Sequence, residues 1–185
     1  LCISQISMII SLTGTPGVGK SSVAKILEKK YKVINLIDLA LEKDFVLDYD
    51  EERESYIIDT DRLEEYLRRT ISKSENYILD SHLSHLMKFS DMVIVLRCRP
   101  DILRKRLGEK GWKKEKIEEN VEAEILDIIL SEAVEIHGTR RVFEVDTSDK
   151  TISEVAEIVE GLIEGKVDYE MYRVGRIDWS GYIEG

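Results

Sequence analysis

Apolar positions along the chain alternate between short dense runs and longer stretches with helical spacing. Met8-Ile9-Ile10-Ser11-Leu12-Thr13 is a dense run that stops at Gly14, as a buried parallel strand does. From Lys20 to Lys30, Val23, Ile26 and Leu27 recur at helical spacing. Val33-Ile34-Asn35-Leu36 predicts a second strand, followed by a short helical piece around Asp38 to Lys43. Asp59 to Ser72 predicts a helix with Leu63, Tyr66, Leu67 and Thr70 on one side. Tyr77-Ile78-Leu79 and Met92-Val93-Ile94-Val95-Leu96 are the third and fourth strands. Helices are predicted over 101–108 and 114–136, the second carrying Ile117, Val121, Ile125, Ile128 and Ile129. Val142-Phe143-Glu144-Val145 is the fifth strand, and Ile152, Val155, Ile158, Val159 and Leu162 mark a last helix. Short apolar strands alternating with helices predict an α/β fold, a five-stranded parallel sheet flanked by helices through right-handed crossovers. Residues 166–185 hold four aromatics without a clear period and read as an extended tail on the body.

The turn after the first strand carries chemistry. Gly14-Thr15-Pro16-Gly17-Val18-Gly19-Lys20-Ser21 fits G-x-x-x-x-G-K-[ST] at every fixed position, with a strand before and a helix after. Glycines let successive N–H groups converge on phosphate oxygens, and the helix N-terminus adds a favourable dipole. Candidate nucleotide-binding residues are therefore Gly14, Pro16, Gly17, Val18, Gly19, Lys20 and Ser21. Lys20 suits the β/γ phosphates of ATP and the Ser21 hydroxyl suits Mg²⁺. The plainer alternative is a glycine-rich turn without a ligand.

Asp80 stands at the carboxyl end of the third strand, and His82 follows two residues later. In extended chain both would share a face. If that strand neighbours the first, Asp80 reaches the magnesium near Ser21, and His82 can orient or deprotonate an attacking group. The structural alternatives are a capping carboxylate and a hydrogen-bonding histidine. His85 and His137 show no metal-binding spacing and read as surface residues.

Length and charge narrow the class. The 185 residues suffice for one domain, and 37 acidic against 27 basic residues give a net charge of −10. That balance argues against general or sequence-specific nucleic-acid binding. It conceals a local exception: residues 97–116 hold nine basic and three acidic side chains, +6, leaving −16 elsewhere. Gly108 and Gly111 flank Lys110 there, which predicts a mobile cationic lid over phosphates. A solvated helical face with paired charges is the alternative. Cys2 and Cys98 make no disulfide framework, and no apolar run reaches membrane-spanning length, so a cytoplasmic protein is expected. Residues 1–7 lack the basic start of a secretory signal and read as a non-native or alternative-start extension.

Thr13 to Lys20, Asn35 with Asp38-Leu39-Ala40, Asp80-Ser81-His82, Arg106-Leu107, Gly111-Trp112-Lys113 and Asn120 recur in a familiar order. Over roughly 8–165 the chain resembles the atypical adenylate kinases of archaea and eukaryotes that also serve in small ribosomal subunit maturation. The resemblance implies a P-loop nucleoside monophosphate kinase with a short lid, using ATP, Mg²⁺ and AMP, with additional ATPase activity. It extends the nucleotide loop to Ser22, and places the monophosphate-binding region at about 35–58 and the lid at about 109–119. It assigns Asp80 and His82 to a magnesium/ATPase motif, and implies a platform ribosomal protein of the pre-ribosomal small subunit as partner. Three departures stand out. Lys110 occupies a lid position that usually holds Arg, Ser21 replaces Thr, and Arg53 is the one arginine in 35–58. Two other readings stay open: an assembly ATPase without kinase turnover, and a different small-molecule kinase. Against the latter, no Gly-Gly-Gly motif follows the third strand, where shikimate kinases carry one.

Overall fold

The computed structural model describes residues 7–72 and 74–183. Residues 1–6 of the expected extension, with Cys2, lie outside the described residues. Strands β1 (Ile9–Thr13), β2 (Lys32–Asn35), β5 (Tyr77–Asp80), β6 (Met92–Arg97) and β7 (Val142–Asp146) form a parallel sheet in the order β2-β5-β1-β6-β7. Helices α1 (Lys20–Leu27), α2 (Leu36–Glu42), α3 (Thr60–Thr70), α4 (Pro100–Glu109), α5 (Lys114–Ile125), α6 (Ile128–His137) and α7 (Ile152–Glu164) cover its faces. Burial on both faces explains why β5 and β6 read as unbroken runs: every residue of either strand is buried. One core joins β1, β6 and β7 to α1, α4, α5 and α7, and a second packs α2 and α3 against Leu79. The predicted sheet is the observed one. Among the described residues no helix is long and apolar enough to cross a membrane.

Two departures from the sequence pattern shape the site. An antiparallel hairpin, β3 (Val46–Asp50) with β4 (Ser55–Ile58), was not anticipated within the 35–58 region. Its apolar residues Leu47, Tyr49, Tyr56 and Ile57 are exposed, so burial imposes no clean alternation on it. The long helix expected over 114–136 is two helices. Asp127 sits between them at φ 54°, in the left-handed region, and its carboxylate engages the Arg97 guanidinium. Apolar spacing continues across this break, which is why periodicity alone joins the two helices. The residues after α7 run back across the sheet edge, where Arg173 bridges to Phe143.

Candidate active site

The sheet order places the site. β1 lies between β5 and β6, with Leu12 opposite Asp80 and Thr13 opposite Val95, so the loop after β1 opens at the carboxyl ends of three strands. Gly14 takes φ 138°, and a Cβ there would fall 2.4 Å from the Leu96 carbonyl oxygen. Gly17 takes φ 96°, where a Cβ would meet Leu107 at 2.6 Å. Both positions demand glycine on conformation and on space. Gly19 then hands the chain to α1, whose first N–H groups face the cradle.

Lys20 is buried, and its ammonium donates to the carbonyls of Gly14 at 2.7 Å and Thr15 at 3.0 Å. Burial lowers its pKa to about 8, with Lys110 pushing the same way and Asp80 and Glu124 opposing. The buried Asp80 carboxyl is raised by burial, against the pull of the Ser21 hydroxyl and of Lys20. Its Oδ1 has no hydrogen-bond partner. A partnerless buried carboxylate oxygen beside a hydroxyl is a donor set for a hard cation. Among the described residues no group of three or more His, Cys, Asp or Glu side chains could hold a metal ion. An ion here would complete its shell with phosphate oxygens and water, as Mg²⁺ does.

Two cavities share the loop. One of about 370 Å³ is lined by Gly17, Val18, Gly19, Ser22, Arg106, Lys110 and Thr147. Arg106 there donates to the Thr147 hydroxyl at 3.1 Å and carbonyl at 3.0 Å. The other, of about 480 Å³, is lined by Thr15, Pro16, Arg53, Ser55, His82, Trp112, Lys116 and Asn120. The tip of the β3–β4 hairpin reaches α5 across it, through Arg53 Nε to Glu119 at 2.8 Å and Lys113 to Glu54 at 2.5 Å. Lys116 stands 4.5 Å from the Trp112 ring centre.

The family described as AAA domain matches residues 10–127. A protein of Pyrococcus abyssi named "Putative adenylate kinase" is 47% identical over 175 residues, covering 94% of this chain and 92% of its own length. Proteins with the same name from Archaeoglobus fulgidus and Methanocaldococcus jannaschii are 44% and 38% identical, covering 96% and 94% of this chain, 94% and 93% of theirs. The chain belongs to this archaeal adenylate kinase family. Among solved structures, the thymidylate kinase of Candida albicans shares the fold with a TM-score of 0.54 at 16% identity, covering 87% of this chain and 92% of that one.

In this adenylate kinase family member several expected placements change. β5 stops at Asp80, so strand alternation does not extend to His82, which lies in the following turn and lines the larger cavity. Burial, with the charge of Lys20 and then His85, lowers the His82 pKa to about 4, leaving a neutral imidazole at neutral pH. His85 is not a surface residue. It is buried, with Nδ1 3.0 Å from the Thr13 hydroxyl and Nε2 2.9 Å from Glu132, and His137 Nε2 lies 2.7 Å from its carbonyl oxygen. The short helical turn Ser84–Leu86 folds it against the end of β1, a tertiary contact no local pattern announces.

Four of the nine cations in the segment, Arg97, Arg99, Arg104 and Lys113, are paired, mostly with carboxylates outside it. Arg97 is buried with Glu124, Asp127 and Glu144; Arg99 pairs with Asp101 and Asp149; Arg104 pairs with Glu118. Gly108 lies inside α4 and Gly111 alone takes a positive φ, 74°. Lys110 does face the first cavity. Sequence reasoning assigned no site role to Arg106, Thr147 or Trp112, all of which line a cavity.

The lowered pKa of Lys20 has a measurable consequence. Above pH 8 the free protein holds much of Lys20 neutral, and anionic phosphates at the cradle favour the ammonium. Binding of ATP at pH 8.5 is therefore expected to take up about half a proton or more, and affinity should fall as pH rises through 8. Calorimetry in buffers of different ionisation enthalpy measures this; zero uptake would contradict the assignment.

Proposed function

We propose that this protein transfers the terminal phosphoryl group of ATP to a nucleoside monophosphate, with AMP as the first acceptor to test. The observation that carries the reading is two cavities sharing one phosphate loop, with Lys20, Ser21 and Asp80 gathered beside it. The first cavity suits the donor and the second the acceptor. Lys20 neutralises charge on the transferring group, the loop N–H groups orient it, and Ser21 and Asp80 hold Mg²⁺, which supplies further charge neutralisation when bound. Hairpin and lid turn, tied across the acceptor cavity, exclude water. The identity of the archaeal relatives supports the same reading.

ADP formation measured with and without AMP and other monophosphates tests it. A marked rise with a monophosphate is expected; a rate indifferent to all of them would sink the kinase reading. ATP hydrolysis without acceptor is proposed as a second activity, supported by His82 lining the acceptor cavity. Its imidazole, too weak a base at a pKa of about 4 to take the proton readily, can orient the attacking water there. His82→Ala should lower hydrolysis by about 10²-fold with ATP binding nearly intact. An unchanged hydrolysis rate would remove His82 from the role. A basic platform ribosomal protein is proposed as partner on the strength of the family resemblance and the −16 remainder of the chain. Binding should weaken steeply with salt, and no binding at low salt would exclude it.

A further inference from the structure

Glu124 connects the phosphate loop to the far end of the chain. It is buried in the last turn of α5, and its two oxygens face different parts of the molecule. Oε2 accepts the Thr15 hydroxyl at 2.6 Å, and Thr15 sits in the loop between Gly14 and Pro16. Oε1 accepts Arg97 Nε at 2.7 Å, the Cys98 amide at 3.2 Å and Trp179 Nε1 at 3.2 Å. The C-terminal residues attach at a second carboxylate as well: Glu144 Oε1 accepts the Arg176 and Ile177 amides at 2.7 and 3.0 Å, while its Oε2 takes Arg97 Nη1 at 3.1 Å.

Charge explains why these contacts belong together. One guanidinium, Arg97, meets three carboxylates, Glu124, Glu144 and Asp127. Two of the three are buried, and a buried carboxylate needs donors for every lone pair that its counter-ion does not reach. The indole and two backbone amides of residues 176–179 are such donors. Helix α5 begins just after the lid turn and carries Lys116 and Asn120 on the acceptor cavity, so the group that receives Trp179 also ends the helix that forms that wall.

We propose that residues 176–179 are a latch on the phosphate loop: Trp179 and Arg97 orient Glu124, which holds Thr15 and so sets the loop for ATP. Glu124 and Trp179 are positioning residues, since neither touches a reacting atom. The proposal rests on the reading of 14–22 as an ATP cradle but needs no acceptor, so its test is Mg·ATP binding.

A double-substitution cycle in the full chain carries that test, with Mg·ATP affinity from titration calorimetry and melting temperature read in parallel. Trp179→Phe keeps an aromatic side chain but removes the indole N–H and part of its volume, which the melting temperature tracks; Thr15→Val removes the hydroxyl at the other end. Each is expected to weaken ATP binding about five- to tenfold. The two together should cost no more than Thr15→Val alone, because the latch acts only through that contact. Thr15→Ser, which keeps the donor, should restore affinity. Trp179→Phe that lowers the melting temperature but leaves ATP affinity within twofold would overturn the latch, and so would losses that simply multiply. Wild-type protein that binds Mg·ATP yet phosphorylates no monophosphate would refute the kinase reading and leave this cycle intact. Wild-type protein that binds no Mg·ATP would refute the latch together with the cradle.

Discussion

Replacement of Lys20 by Met is expected to lower phosphoryl transfer by about 10³-fold, the scale seen when a charge-stabilising donor is removed from a transition state. The side chain is buried, with its ammonium against the carbonyls of Gly14 and Thr15, so no neighbouring cation can take its place without rebuilding the loop. Lys110 lines the same cavity, but it lies on the lid turn rather than inside the cradle. Stability should move the other way. Burial already lowers the Lys20 pKa to about 8, so the charged form is held against a desolvation penalty that Met does not incur. Melting temperature equal to or above wild type, with the rate collapsed, would separate a catalytic loss from a folding loss. A variant retaining more than a tenth of wild-type kcat/KM would remove Lys20 from the transition state.

The cradle was legible in the sequence because its demands are local. Gly14 and Gly17 need conformations and clearances that glycine alone meets, and fixed spacing brings Lys20 and Ser21 to the helix start. Asp80 was legible through one non-local assumption, that its strand adjoins the first, and Leu12 does pair with Asp80. What could not be read depends on partners remote in sequence. The charge of the lid segment looked available because Glu54, which binds Lys113, and Glu124, Asp127 and Glu144, which surround Arg97, lie in other stretches that only the fold brings together. His85 looked solvated because its partners Thr13 and Glu132 are 72 and 47 residues away. The break at Asp127 was invisible because apolar spacing continues through it while the backbone turns to bring its carboxylate to Arg97. Helical period reports which face is buried and says nothing of where an ion pair interrupts the helix.

Asp80→Asn is expected to produce the second large loss, and its signature should lie in magnesium. The carboxylate ends β5 next to the cradle, with Oδ1 unpartnered and the Ser21 hydroxyl beside it. An amide oxygen there is a weaker ligand for a hard cation, so the magnesium concentration giving half-maximal rate should rise about tenfold and kcat should fall by about 10². Stability again opposes activity. Burial raises the Asp80 carboxyl, so the folded state keeps its proton to higher pH than the unfolded chain does. Wild type therefore loses stability as pH rises from the ordinary aspartate value through that raised one, because the Ser21 hydroxyl and Lys20 offset only part of the burial cost of the charge. The asparagine variant has no such window: it should melt at or above wild type at pH 7 and show a flatter dependence in the acid range. A buried carboxyl whose raised pKa costs the fold, and whose neutral isostere is more stable and less active, is what a cation site predicts and a capping carboxylate does not. Unchanged magnesium dependence together with a lowered melting temperature would return Asp80 to a structural role.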